Sequence, residues 1–81
     1  MTFATYNSSA DFPTKAEAFA HLERFEYSRL PVANRWSNRS TGDHGEARIG
    51  FAHIEAIDTN GTVTGYRVHE VDMPLDRKRA A

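Results

Sequence analysis

Residues 46–57, EARIGFAHIEAI, and 62–71, TVTGYRVHEV, flank Asp58-Thr59-Asn60-Gly61. Two such runs on either side of Asn-Gly are a strong short-range signal for a β-hairpin. It fixes two antiparallel strands before anything else is known. Asn60-Gly61 suits a two-residue turn. A three-residue loop, Thr59-Asn60-Gly61, gives a better apolar register, with Ile57 opposite Val63, Ile54 opposite Tyr66, Ala52 opposite Val68 and Ile49 opposite Val71. One face then carries Ala52, Ile54, Ala56, Tyr66 and Val68. The other carries Ile49, Phe51, Ile57, Val63 and Val71, with His53, Glu55, Arg67 and His69 among them. The small Gly50, Ala52 and Ala56 leave room for a helix on the first face.

That helix is predicted in FPTKAEAFAHLERFEY. Thr14 and Glu17 have capping-box spacing, and Pro13 sits just outside the start. At 100° per residue Phe12, Ala18, Phe19, Leu22 and Phe25 share one side, while Glu17, Ala20, His21 and Arg24 share the other. Pro31 ends it, because proline restricts the residue before it. TFATY (2–6) reads as a short first strand and NSSAD (7–11) as loop. Residues 31–45 have no apolar period and are rich in Asn, Ser, Gly and Arg, so they read as a long loop. The expectation is an α+β fold of β-α-β-β order: a three-stranded antiparallel sheet with one helix on one face. It forms one domain, 1–81, ordered over 2–73, with a basic, frayed tail at 74–81.

Leu, Ile, Val and Phe supply only 15 of 81 residues, so the core is lean and dimerisation or a partner would complete it. Without cysteine there is neither a disulfide framework nor a thiolate metal site. No leader or long apolar run is visible, so a cytoplasmic chain that does not touch membrane is expected. Charge is uneven: residues 1–23 carry −2, 24–48 carry +2, 49–76 carry −4 and Arg77-Lys78-Arg79 add +3. An overall pI of 6.4 disfavours broad duplex binding.

The chemistry-bearing candidates are few. His53 and His69, diagonal neighbours in the expected register, could with Glu55 hold zinc or act as an acid–base pair; a polar patch in which His53 and Arg67 pair is the commoner outcome, and no metal, cofactor or catalytic residue is assigned. The five glycines form no phosphate loop, and Ser37, Ser40 and Thr41 beside Asp43-His44 make no triad. Arg29, Arg35 and Arg39 flank the only Trp, Trp36, and no acid lies between residues 27 and 42. Arg and Trp are favoured at interface hot spots and suit single-stranded nucleic acid. Trp36 either grips a partner or tucks into the core. The expected partner-binding set is Arg29, Arg35, Trp36, Arg39, Phe51, His53, Arg67 and His69.

The plan of residues 2–73, a short strand, FPTKAEAFAHL and a hairpin with an NG turn, resembles small phage-encoded anti-CRISPR proteins. The resemblance implies a non-enzymatic inhibitor in the host cytoplasm. Such a protein docks on a type I CRISPR surveillance complex and blocks target DNA, its acidic hairpin facing the basic DNA path and Arg35, Trp36 and Arg39 acting as anchor. Two alternatives stand beside it: a small nucleic-acid-binding or regulatory module using the Arg–Trp loop, and a homodimeric accessory domain joined through the apolar hairpin face.

Overall fold

The computed structural model describes residues 4–32 and 34–75. The chain runs β1 (Tyr6–Phe12), α1 (Lys15–Arg24), β2 (Ser28–Arg29), β3 (Arg35–Thr41), β4 (Ala47–Thr59) and β5 (Thr62–Pro74). The strands form one five-stranded antiparallel sheet in the order β1-β5-β4-β3-β2. The expected three-stranded sheet is therefore corrected to five strands. Two of them arise where loop was expected: NSSAD lies inside β1, and Arg35–Thr41 of the expected 31–45 loop is β3. The two long hairpin strands each have an outer side with unpaired backbone groups, and satisfying those groups outweighs the weak β propensity of Asn and Ser.

The hairpin itself closes with two residues. Asn60 and Gly61 both have positive φ, 53° and 84°, and Thr59 pairs with Thr62. The register shifts between Ile57 and Asp58, because Ile57 faces Gly65 while Asp58 faces Val63. Thr64 is the extra residue of this β-bulge. The strands are consequently displaced by two from the expected register: Ile54 faces Val68, Ala52 faces Glu70 and Ile49 faces Met73. A displacement of two preserves the faces, since side chains alternate with a period of two. Strand β5 also continues through Pro74, and the basic run 77–79 lies outside the described residues.

Helix α1 starts where its cap predicts. Thr14 Oγ1 accepts the Glu17 N–H at 3.2 Å, and its hydroxyl donates to Glu17 Oε2 at 3.1 Å. The helix stops well before Pro31: Glu26 takes φ 62°, and the Tyr27 N–H returns to the Leu22 carbonyl at 3.0 Å. From there the chain enters β2 on the edge of the sheet opposite β1. Helix α1 thus carries the chain across one face. Ala18 and Leu22 of α1 are buried together with Tyr27, Trp36, Ala52, Ile54 and Val68, and Phe12, Phe19 and Tyr66 pack against them. His21 of α1 and the C-cap Phe25 depart from the wheel. Phe25 is 53% exposed, and His21 turns toward the sheet, with Nε2 2.8 Å from Glu70 Oε2.

Close packing is local. A side chain at Gly50 would collide with Asn38 Oδ1 and the Tyr27 hydroxyl, so both side chains would have to shift to admit one. Burial, with the Glu70 and Asp72 carboxylates adding, pushes the Tyr27 phenol well above its ordinary value. Beyond the reach of α1, the buried Arg48 gathers the sheet's end. It donates to Asp72 Oδ1 at 2.9 Å, to the Ala4 carbonyl at 2.6 Å and to Glu46 Oε2 at 3.4 Å. Burial disfavours its charge, but these carboxylates more than offset that and hold its pKa above the ordinary arginine value.

Candidate binding surface

Ten helical residues rise only about 15 Å, whereas a thirteen-residue strand extends about 43 Å. The molecule is accordingly long, 49 × 23 × 21 Å, and α1 covers part of one face. No described element covers the other face. Strand pairing sets its rows. Arg35, His53, His69 and Ser9 lie side by side across β3, β4, β5 and β1; the next row is Ser37, Phe51, Val71 and Asn7; the next is Arg39, Ile49 and Met73. On the other side of the histidines runs Glu55, Arg67 and Asp11.

This face therefore has an apolar strip of Ile49, Phe51, Val71 and Met73, with the histidine and Glu55–Arg67–Asp11 rows on one side of it and Arg35 and Arg39 along β3. Leu30 extends the strip toward the sheet edge, where its N–H donates to the Arg35 carbonyl at 2.9 Å. Leu30, Arg35, Phe51, His53, His69 and Val71 border a shallow groove of about 290 Å³. Phe51 is 41% exposed, although a ring of its size usually finds cover.

The polar groups on β1, β4 and β5 pair with one another, whereas the β3 arginines are open. Arg67 grips Asp11 bidentately, Nε to Oδ1 at 2.7 Å and Nη2 to Oδ2 at 3.0 Å. That hydrogen bonding holds the Asp11 carboxyl below its usual range. His69 Nε2 lies 2.8 Å from Glu55 Oε1, and this contact lowers the Glu55 pKa. The imidazoles of His53 and His69 are directly opposite rather than diagonal, stacked with centroids 4.6 Å apart and planes 18° from parallel. Burial, then His69 and Arg35, push His53 below its ordinary value, with Glu55 opposing. Arg67 is held by Asp11, so the expected pairing of His53 with Arg67 is replaced. Among the described residues no group of three or more His, Asp or Glu is placed to hold a metal. On this face Arg35 and Arg39 are the cations without a carboxylate partner among the described residues.

The expected partner-binding set is thus split. Arg35, Arg39, Phe51, His53, Arg67 and His69 share the uncovered face. Trp36 points the other way and is buried, 4% exposed, beside Phe19 at 5.4 Å between ring centroids. Arg29 accompanies it. The reason is alternation along β3: if Arg35 and Ser37 face outward, Trp36 must face the helix. Leu30, Val71, Ile49 and Met73 complete the strip but were not in the set. Val71 and Ile49 were legible from their alternation, whereas Leu30 required knowing β2. Arg48 carried no local signal for burial.

No protein-family model, curated protein or solved structure matches this chain. Among the described residues no helix is long and apolar enough to cross a membrane.

Proposed function

We propose that this chain is a binding protein that docks on a protein surface through its uncovered sheet face. The observation that supports this reading is the strip Leu30, Phe51, Ile49, Val71 and Met73, which lies on a face no described element covers, beside Arg35 and Arg39. An apolar centre with a polar rim is the anatomy of a protein interface. The two arginines, which have no carboxylate partner among the described residues, suit a partner whose matching patch is apolar with acidic groups at one margin.

The resemblance names a candidate, the type I CRISPR surveillance complex, which the chain would inhibit by occlusion. In that reading the strip with Arg35 and Arg39 is the anchor. The outer half of the hairpin, bearing Glu55 and Asp58, faces the basic DNA path. Trp36 takes no part, being committed to the core.

The test is capture of purified type I complexes by the tagged chain, with target-DNA binding measured alongside. Phe51→Asp and the pair Arg35→Glu, Arg39→Glu should each weaken capture at least tenfold. Equal capture by both variants would remove the sheet face as the docking surface; no capture and unimpaired DNA binding would remove the CRISPR partner. Light scattering of the free chain reports the homodimeric alternative, in which Phe51→Asp yields monomer.

A further inference from the structure

A second cleft, of about 400 Å³, opens on the helix side between the start of α1 and the Leu30–Arg35 turn. Phe19 and Trp36, with the Arg29 guanidinium over their rings, are among its lining residues, as are the apolar Leu30, Pro31 and Val32. Its ionisable lining is wholly cationic: Lys15, Arg29 and Arg35, the last standing at the sheet edge and bordering both grooves. The carboxylates that form ion pairs among the described residues, Asp11, Glu46, Glu55, Glu70 and Asp72, all pair elsewhere.

Arg29 is held in an unusual way. Its guanidinium carbon lies 4.4 Å from the Phe19 ring centroid and 5.2 Å from that of Trp36. Stacking restrains a planar cation through its faces and leaves its in-plane N–H donors free. Arg29 makes no side-chain hydrogen bond among the described residues. A positioned fork with unused donors, in a cleft with two further cations, is preorganised for a dianion that can accept two parallel hydrogen bonds.

We propose that this cleft binds the phosphate of a mononucleotide-type ligand, with Arg29 as the bidentate contact and Lys15 and Arg35 neutralising the remaining charge. Three cations line the cleft, Lys15 with its ammonium 5.9 Å from the Tyr66 ring centroid, and together they favour a phosphate dianion over a single carboxylate. The volume falls within the range of small-molecule sites, ~300–1,000 Å³. The flat organic part rests on Leu30, Pro31 and Val32, since Trp36 is already covered. The same phosphate chemistry is presented by a free nucleotide and by the phosphorylated end of a nucleic-acid strand.

The test is a titration of the isotope-labelled full chain, following the amides of residues 29–32 and 34–36. The probes are AMP, inorganic phosphate, adenosine, and a short oligonucleotide with and without a 5′-phosphate. AMP should give saturable shifts confined to the cleft, inorganic phosphate weaker ones and adenosine none. Arg29→Gln should weaken AMP about tenfold, the loss of a charge-assisted pair. Lys15→Gln, at an exposed position outside the core, should weaken it severalfold even if Arg29→Gln disturbs the stacked rings. Arg39→Gln, on the opposite face, should leave binding unchanged. A 5′-phosphorylated oligonucleotide binding more tightly than AMP would place the phosphate at a strand end. No shifts with AMP or phosphate at millimolar concentration, equal shifts with adenosine, or undiminished binding by both Arg29→Gln and Lys15→Gln would overturn the assignment.

Discussion

Truncating Leu22 to Ala tests which face of the sheet holds the protein together. Leu22 is fully buried, 0% exposed, and sits in the cluster with Trp36 and Val68. A buried Leu→Ala change costs about 2–5 kcal/mol, the methyl groups lost from contact plus the cavity left behind. A chain of 81 residues has a total stability of roughly 4–12 kcal/mol at ~0.05–0.15 kcal/mol per residue. A loss near 3 kcal/mol lowers Tm by about 12–24 °C, taking ~4–8 °C per kcal/mol for a domain this small. The assay is built in, because Trp36 is the only Trp and lies in the same cluster, so its fluorescence reports unfolding in urea or on heating. The comparison is Phe51→Ala. Phe51 is 41% exposed, and full burial of such a ring is worth only ~1.5–3 kcal/mol, so its truncation should cost about 1 kcal/mol. If Phe51→Ala destabilises the chain as much as Leu22→Ala, the division into a covered and an uncovered face is wrong.

Thr14→Ala removes the acceptor for the Glu17 N–H and should cost about 1 kcal/mol, read as a Tm lower by roughly 4–8 °C. Burial and the neighbouring charges depress His53 below 6.5, so as pH falls through that value the unfolded chain takes up the proton first. Stability contributed by neutral His53 is therefore lost from about pH 6.5 downward until the depressed native value is passed. His53→Gln should flatten the Tm-against-pH curve in that window. The further loss at lower pH, as Asp11 beside Arg67 is protonated, should persist in the variant.

The hairpin and helix were legible because their signals are local. Alternation, an Asn-Gly turn and a capping threonine each act within a few residues. Even the wrong register preserved the faces, since the turn and the Thr64 bulge together displace the strands by an even number. Strands β1 and β3 were hidden because YNSSADF and RWSNRST are shaped by what they pair with. Asn38 is a clear instance: it lies over the bare Gly50 and donates to the Phe25 carbonyl at 2.9 Å, a role set by residues far away in the chain. The site was legible to the extent that it lies on the hairpin. Phe51, His53, Arg67 and His69 were found through alternation, while the inward turn of Trp36 depended on β3 being a strand.

The position of β1 imposes an order on assembly. Among the described strands it is the first, yet it pairs only with the last, Tyr6 against Asp72 and Phe12 against Tyr66. The tight turn lets β4 and β5 meet early, whereas β1 must close a loop of most of the chain before its first hydrogen bond forms. During synthesis both edges of YNSSADF stay unpaired until β5 has emerged. An apolar strand left waiting in that state would seek other chains. The Asn, Ser and Asp that disguised β1 as a loop make it a segment that can wait in water without aggregating.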